Sequence, residues 1–152
     1  MAFTAAEGSQ HLLDTVAERI GELEYALACL GEAYEALDEY SGDRLEQELF
    51  RPVQLALGRA KRTHAEFADR RGLTSNAVQA RPPGAPSVGA KALVERAVDA
   101  LSAAGGGLAT LQDSMLPVEV GDRELRTGLG EVRELIADLP AQARGVLRTI
   151  GR

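Results

Sequence analysis

Hydrophobic residues recur at alternating intervals of three and four over the first quarter of the chain, from Ser9 to about Tyr40. This narrow stripe is typical of a long helix that packs along one seam, as in a coiled coil or a helical hairpin. Because such a helix cannot bury its stripe alone, the pattern predicts further helices packed against it. The apolar positions are Leu13, Val16, Ile20, Leu23, Leu27, Leu30, Tyr34 and Leu37.

A second helix is predicted to follow a turn at residues 41–43 and to end at Arg71, before Gly72. Pro52 interrupts its apolar stripe. Because proline removes a backbone donor and clashes with the preceding turn, we expect a kink or break at or just before it. The two helices together predict a hairpin over residues 9–72. The stripe consists of Phe50, Val53, Leu57, Ala60, His64 and Phe67.

A second hairpin is predicted over residues 90–151. Its first helix, residues 88–116, keeps its apolar period across the glycine run 105–107, so we favour one helix with a weak point over a break there. Its second helix begins near Gly121 and should kink or split at Pro140.

Residues 73–89 carry no hydrophobic period and are rich in proline and glycine, which is typical of a flexible linker. The tripeptide Gly-Asp-Arg occurs at residues 42–44 and at residues 121–123, which indicates either a duplicated hairpin or a coincidence of turn chemistry. Since short turns make neighbouring helices antiparallel, the sequence predicts an all-α single domain over residues 1–152. Its architecture is an antiparallel four-helix bundle made of two helical hairpins joined by a Pro/Gly-rich linker.

The composition agrees with packed helices. Hydrophobic residues make up 45% of the chain and aromatic residues only 4%, so the core must be aliphatic. Cys29 is the single cysteine, which excludes an internal disulfide, and its place in a helical pattern favours a buried thiol. Neither a signal peptide nor an apolar run of about 18 residues is present, so we expect a cytoplasmic protein without membrane contact. Basic residues that are nearly all arginine, with abundant alanine and glycine, favour a GC-rich bacterial source.

Charge is distributed unevenly along the chain. The net charge of -6 and the pI of about 5.0 argue against nucleic acid as a partner. Helix dipoles account for acids at the start of the second helix but not for those that end the first. The acidic residues around the predicted first turn are therefore either simply solvated or a docking surface for a basic partner. The candidate binding residues are Glu35, Asp38, Glu39, Asp43 and Glu46.

Metal chemistry finds little support in the sequence. Carboxylate-bridged metal sites in helical bundles use a Glu three residues before a His, and neither His11 nor His64 has one. With two histidines and one cysteine in the chain, we expect no metal and no cofactor.

The hexapeptide from Arg59 to His64 resembles the Arg-x4–6-His motif of HEPN domains, an all-helical family that includes many RNases. The resemblance implies that Arg59 and His64 of two subunits meet at a dimer interface and act on RNA. The chain departs from the family pattern in two ways. The residue after the arginine, Ala60, is not polar, and the motif lies on the second helix rather than late in the chain. The alternative is a partly buried His64 on the apolar stripe and a solvated Arg59.

No phosphate-binding loop, nucleophile or carboxylate pair can be recognised in the sequence. Our first hypothesis is therefore a non-enzymatic helical interaction or scaffold module, which binds another protein or itself. A homodimer could form by exchange of hairpins across residues 73–89. The alternatives are the HEPN-like RNase and a binder of small apolar ligands near the glycine run.

Overall fold

A computed structural model describes residues 4–76 and 79–150, and all regular elements in these two ranges are helical. The all-α prediction is confirmed for them. Both ends of the predicted domain and residues 77–78 of the predicted linker lie outside the described residues. A π-helical turn spans Glu46–Phe50 and a 3-10 turn spans Pro86–Val88. The α-helices are α1 (Ala5–Glu35), α2 (Glu39–Leu45), α3 (Arg51–Arg71), α4 (Ala90–Asp113), α5 (Leu116–Val120), α6 (Arg123–Ile136) and α7 (Leu139–Ile150).

The first break in the helices comes earlier than predicted. α1 ends at Glu35, and Asp38 caps α2 by accepting a hydrogen bond of 2.7 Å from the backbone N–H of Ser41. The predicted continuation to Tyr40 and the predicted turn at residues 41–43 are therefore wrong. The first two residues of that turn are buried inside α2.

The helix dipole explains where this break falls. A continuous helix would place Glu35, Asp38 and Glu39 together at its C-terminus, where negative charge is unfavourable. The break moves Asp38 and Glu39 to the N-terminus of α2, where negative charge is favourable and where a carboxylate can cap free N–H groups.

The interruption expected near Pro52 is a π-helical turn. The backbone N–H of Arg51 donates to the carbonyl of Glu46, five residues back. Pro52 then lies in the first turn of α3, directly after this π turn. The chain thus stays helical past the proline.

Three further helix predictions are confirmed. α3 ends at Arg71, because Gly72 adopts the left-handed conformation with φ of 62°. α4 runs without interruption through the glycine run 105–107. The last helix splits near Pro140, since α6 ends at Ile136 and α7 begins three residues later.

The core is aliphatic, and the predicted seam of α1 describes it only in part. Leu13 and Val16 are almost unexposed, whereas Tyr34 at the far end of the seam is 41% exposed and neighbouring Ala33 is fully buried. The buried face turns along α1, so that Ala26, Cys29 and Ala33 are fully buried over its second half. This turn of the buried face leaves Tyr34 outside the core.

The helices pack in pairs around this core, with α1 and α6 each contacting both α3 and α4. Contacts between α3 and α6 occur in reversed order along the two helices. Arg59 pairs with Glu131, while Arg70, further along α3, pairs with Asp122, earlier in α6. These two helices therefore run in opposite directions.

The described parts of residues 73–89 follow α1. The side chain of Gln10, near the start of α1, donates to the carbonyl of Thr74 at 3.4 Å. Further on, the guanidinium of Arg81 lies over the ring of Tyr25, 3.6 Å from its centroid. The segment thus runs along α1 from near its start toward its C-terminus, so that α4 begins toward the C-terminus of α1 and finishes near its N-terminus.

Two neighbouring glycines of α4 should respond in opposite ways to alanine. A methyl group at Gly107 would lie 2.6 Å from Cδ of Arg19, whereas Gly106 faces open space. We expect Gly107→Ala to lower the free energy of unfolding by about 1 kcal/mol through overpacking. We expect Gly106→Ala to raise it by about 0.8–1 kcal/mol through helix propensity. Urea denaturation measures both, and equal shifts would show that Arg19 does not need the space.

Candidate functional site

The five acidic residues predicted as a binding surface lie on consecutive elements at one end of α1. Glu35 closes α1, Asp38 caps α2, Glu39 and Asp43 lie on α2, and Glu46 begins the π turn. Glu46 is half-buried, and the other four are exposed. We call these five residues the acidic end.

The acidic end has no cation to neutralise it among the residues that the structure describes. Its nearest arginine in sequence, Arg44, is engaged elsewhere. Arg44 Nε lies 2.7 Å from the Glu48 carboxylate, and its NH1 donates to Thr149 Oγ1 at 2.5 Å. Asp38 accepts only the capping bond from Ser41, which leaves its negative charge in place.

Some carboxylates elsewhere in the described chain are paired with arginine. Glu22 lies 2.5 Å from Arg19, and Glu131 lies 2.5 Å from Arg59, whose hydrogen bond lowers the pKa of that carboxyl. None of the five residues of the acidic end forms such a pair within the described residues, and exposed uncompensated charge creates a field that attracts cations.

A cleft of about 280 Å³ opens beside the acidic end, between α1 and the π turn. Two aromatic side chains and two carboxylates line it. The lining residues are Gly31, Tyr34, Glu35, Glu46 and Phe50. Tyr34 and Phe50 lie on predicted core seams, so this cleft was not expected from the sequence. It comes from the early end of α1 and from the π turn.

Two glycines shape the cleft. The ring of Tyr34 rests against Gly42, where an added Cβ would lie 3.3 Å from Cε2 of the ring. Gly31 leaves the base of the cleft open, since an added Cβ there would lie 4.0 Å from Cε2 of Phe50. Glycine in a helix costs stability, so both positions are consistent with a need for space.

Arg59 is fully engaged on the side of α3 that faces α6. Its Nε reaches Glu131, and its NH1 donates to Thr63 Oγ1 at 2.9 Å. His64 projects to a different side, because five positions on a helix correspond to a rotation of about 140°.

His64 faces the start of α1 and the beginning of the linker. Its Nε2 lies 3.5 Å from Ser75 Oγ. Burial lowers the pKa of His64, although a backbone hydrogen bond at Leu13 and the charge of Asp14 act in the opposite direction. The structure therefore does not bring Arg59 and His64 together within one chain, and the RNase hypothesis, which places the pair across two subunits, stays a prediction.

Other reactive groups are structural. Cys29 is completely buried, and its burial raises the pKa of the thiol, which disfavours the reactive thiolate.

Within residues 4–76 and 79–150, no three His, Cys, Asp or Glu side chains lie close enough together to hold a metal ion. Over the same ranges, no helix has the length and apolar character needed to cross a membrane.

Asp122 is the most completely paired carboxylate of the described chain. It is 5% exposed, caps α6 by accepting a hydrogen bond from the Leu125 N–H at 2.9 Å, and receives two hydrogen bonds from Arg70 at 2.6 and 3.1 Å. Burial alone would raise its pKa. The hydrogen bonds from Arg70 and Leu125 and the charges of Arg70 and Arg71 outweigh burial, so that the pKa is lowered.

Comparison of the chain with protein-family models, with curated proteins and with solved structures found no match. Fold and site define an all-helical protein with an acidic end beside an aromatic cleft. The chemistry of the acidic end is therefore the basis on which a function is proposed.

Proposed function

We propose that this protein is a non-enzymatic helical interaction module that binds a basic protein through its acidic end. One observation carries the proposal. Five carboxylates gather on adjoining elements without a cation partner in the described chain, while Arg44 beside them is bound to Glu48. Such a field raises the rate of encounter with a positively charged surface and disfavours partners of like charge.

The proposed scaffold is an antiparallel four-helix bundle of two hairpins joined by the Pro/Gly-rich segment. The reversed order of contacts between α3 and α6 supports it. Contacts of α1 with the π turn and α3 show the same reversal and also support it. Glu24 lies 3.3 Å from Lys61 of α3, whereas Gly31, later in α1, lies near Phe50, which precedes Lys61 in the chain. A bundle of this kind holds its loops and helix ends rigidly, which suits a docking surface.

A different protein fits this surface better than a second copy of the chain. The buried apolar stripes of the described helices contact each other within one chain, so they need no partner from outside. Two copies would each carry a net charge of -6, and their acidic ends would repel each other.

Charge reversal at the acidic end should weaken binding of the basic partner. The variant Glu39→Lys/Asp43→Lys changes two exposed residues that neither line the cleft nor form ion pairs in the described chain. We expect partner affinity to fall by about ten-fold or more, because the attractive field is lost. The measurement is capture by immobilised protein from an extract of the source organism, with quantification by mass spectrometry at low and at 0.5 M salt, roughly the range over which screening acts.

The matched control is Asp113→Lys/Glu119→Lys, which makes the same change of charge near the far end of α4. Both residues are exposed. A basic protein retained by the wild type and the control but lost from the acidic-end variant supports the proposal. Equal capture by all three proteins, or capture that salt does not weaken, would contradict it.

A further inference from the structure

We infer that the cleft between α1 and the π turn receives an arginine side chain of the partner. This inference rests on the proposed function and specifies the chemistry of the partner. The cleft is lined by two aromatic residues and two acidic residues together with a glycine, namely Tyr34, Phe50, Glu35, Glu46 and Gly31.

Aromatic faces and carboxylates together are the surroundings that a guanidinium prefers. The planar guanidinium stacks on aromatic rings and donates paired hydrogen bonds to carboxylates, whereas an ammonium group does neither as well. The same molecule already shows the contact, since the guanidinium of Arg81 lies 3.6 Å from the ring centroid of Tyr25. That internal pair is a model for the proposed contact with Tyr34.

Both carboxylates of the cleft are available to an incoming cation. Neither Glu35 nor Glu46 forms an ion pair in the part of the chain that the structure describes, and Arg44 is bound to Glu48 and Thr149 instead. A cation that enters the cleft therefore gains attraction without breaking an existing pair.

The size of the cleft favours a single side chain. Its volume of about 280 Å³ lies below the roughly 300–1,000 Å³ that is usual for small-molecule pockets. The space depends on Gly31, because any larger side chain there would extend toward Phe50. Filling this position should therefore close the cleft without changing the charge around it.

The test compares two fluorescein-labelled peptides, hexa-arginine and hexa-lysine, by fluorescence anisotropy at equal salt. We expect hexa-arginine to bind wild-type protein about five-fold more tightly, the ratio that a partly exposed cation–π contact supplies. Gly31→Leu should remove this preference by filling the cleft. Tyr34→Leu should remove it by deleting an aromatic face that is 41% exposed.

Glu39→Lys is the matched control outside the cleft, and it should weaken both peptides while keeping their ratio. Circular dichroism confirms that each variant remains helical. Equal affinity of the two peptides for the wild type, or a preference that survives in both cleft variants, overturns the arginine cleft but leaves the acidic docking surface intact. If neither peptide binds, both the cleft and the proposed function are wrong.

Discussion

Replacing Asp122 by alanine is expected to lower the free energy of unfolding by about 2 kcal/mol, because it removes a helix cap and the charged hydrogen bonds from Arg70. Asp122 is 5% exposed and joins the start of α6 to Arg70 near the end of α3. Arg70 keeps a second partner, because its Nε also lies 3.1 Å from the carboxylate of Glu124, and this limits the loss. Urea denaturation at pH 7 measures the change.

Asp43→Ala is the matched control, because Asp43 is the central residue of the other Gly-Asp-Arg tripeptide. Asp43 is exposed on α2 and caps no helix, so we expect its replacement to change stability by no more than about 0.5 kcal/mol. If the two variants lost equal stability, Asp122 would have no special role and the tripeptides would be equivalent.

The pH dependence of the Asp122 variant follows from the direction of its pKa shift. The pKa in the folded protein is lowered below the ordinary value of 3.8, so the folded state prefers the charged form. The stabilisation is therefore fully present above that value and is lost as the pH falls through the lowered pKa. The difference between wild type and Asp122→Ala should shrink when the same measurement is repeated at acid pH.

Gly128→Ala is expected to lower the free energy of unfolding by about 2 kcal/mol, because α3 and α6 approach too closely there for a methyl group. An added Cβ would lie 2.6 Å from Cγ2 and 3.0 Å from Cβ of Thr63. Thr63 cannot turn away easily, since it is 3% exposed and its hydroxyl donates to the carbonyl of Arg59 at 2.8 Å. Thermal or urea unfolding gives the magnitude.

Two further variants isolate the contact. Gly130→Ala lies in the same helix with its nearest neighbour, Nε2 of Gln112, at 3.9 Å, so the gain in helix propensity should raise stability by up to about 1 kcal/mol. Adding Thr63→Ala to Gly128→Ala should restore part of the loss, which makes the double-mutant cycle non-additive. Strict additivity of the two substitutions would mean that the helices do not touch at this point.

The all-helical class and several helix ends could be predicted from the sequence, because each depends on local chemistry. Gly72 ends α3 through its left-handed backbone, and Pro140 divides the last helix. The break after Glu35 was missed, although its signal was present in the acids at the end of the predicted helix. Ser41 and Gly42 are typical turn residues but lie inside α2, and Asp38 caps that helix.

The candidate site could be predicted only in part. The acidic residues were visible as a cluster in the sequence, but the cleft beside them was not. A heptad seam predicts Tyr34 in the core, whereas the buried face of α1 turns toward Ala33 and leaves the Tyr34 ring exposed against Gly42. The partners of Arg59 were also beyond prediction, because Glu131 lies on another helix.

By itself the sequence determined that the chain is helical and that negative charge gathers near the first break, because periodicity and charge order belong to neighbouring residues. Only the tertiary structure decided which charges remain unpaired. Arg44 donates to Thr149 in the last helix, and Arg70 of α3 pairs with Asp122 at the start of α6. These partners are far apart in the chain, and the packing of the helices sets the distances between them.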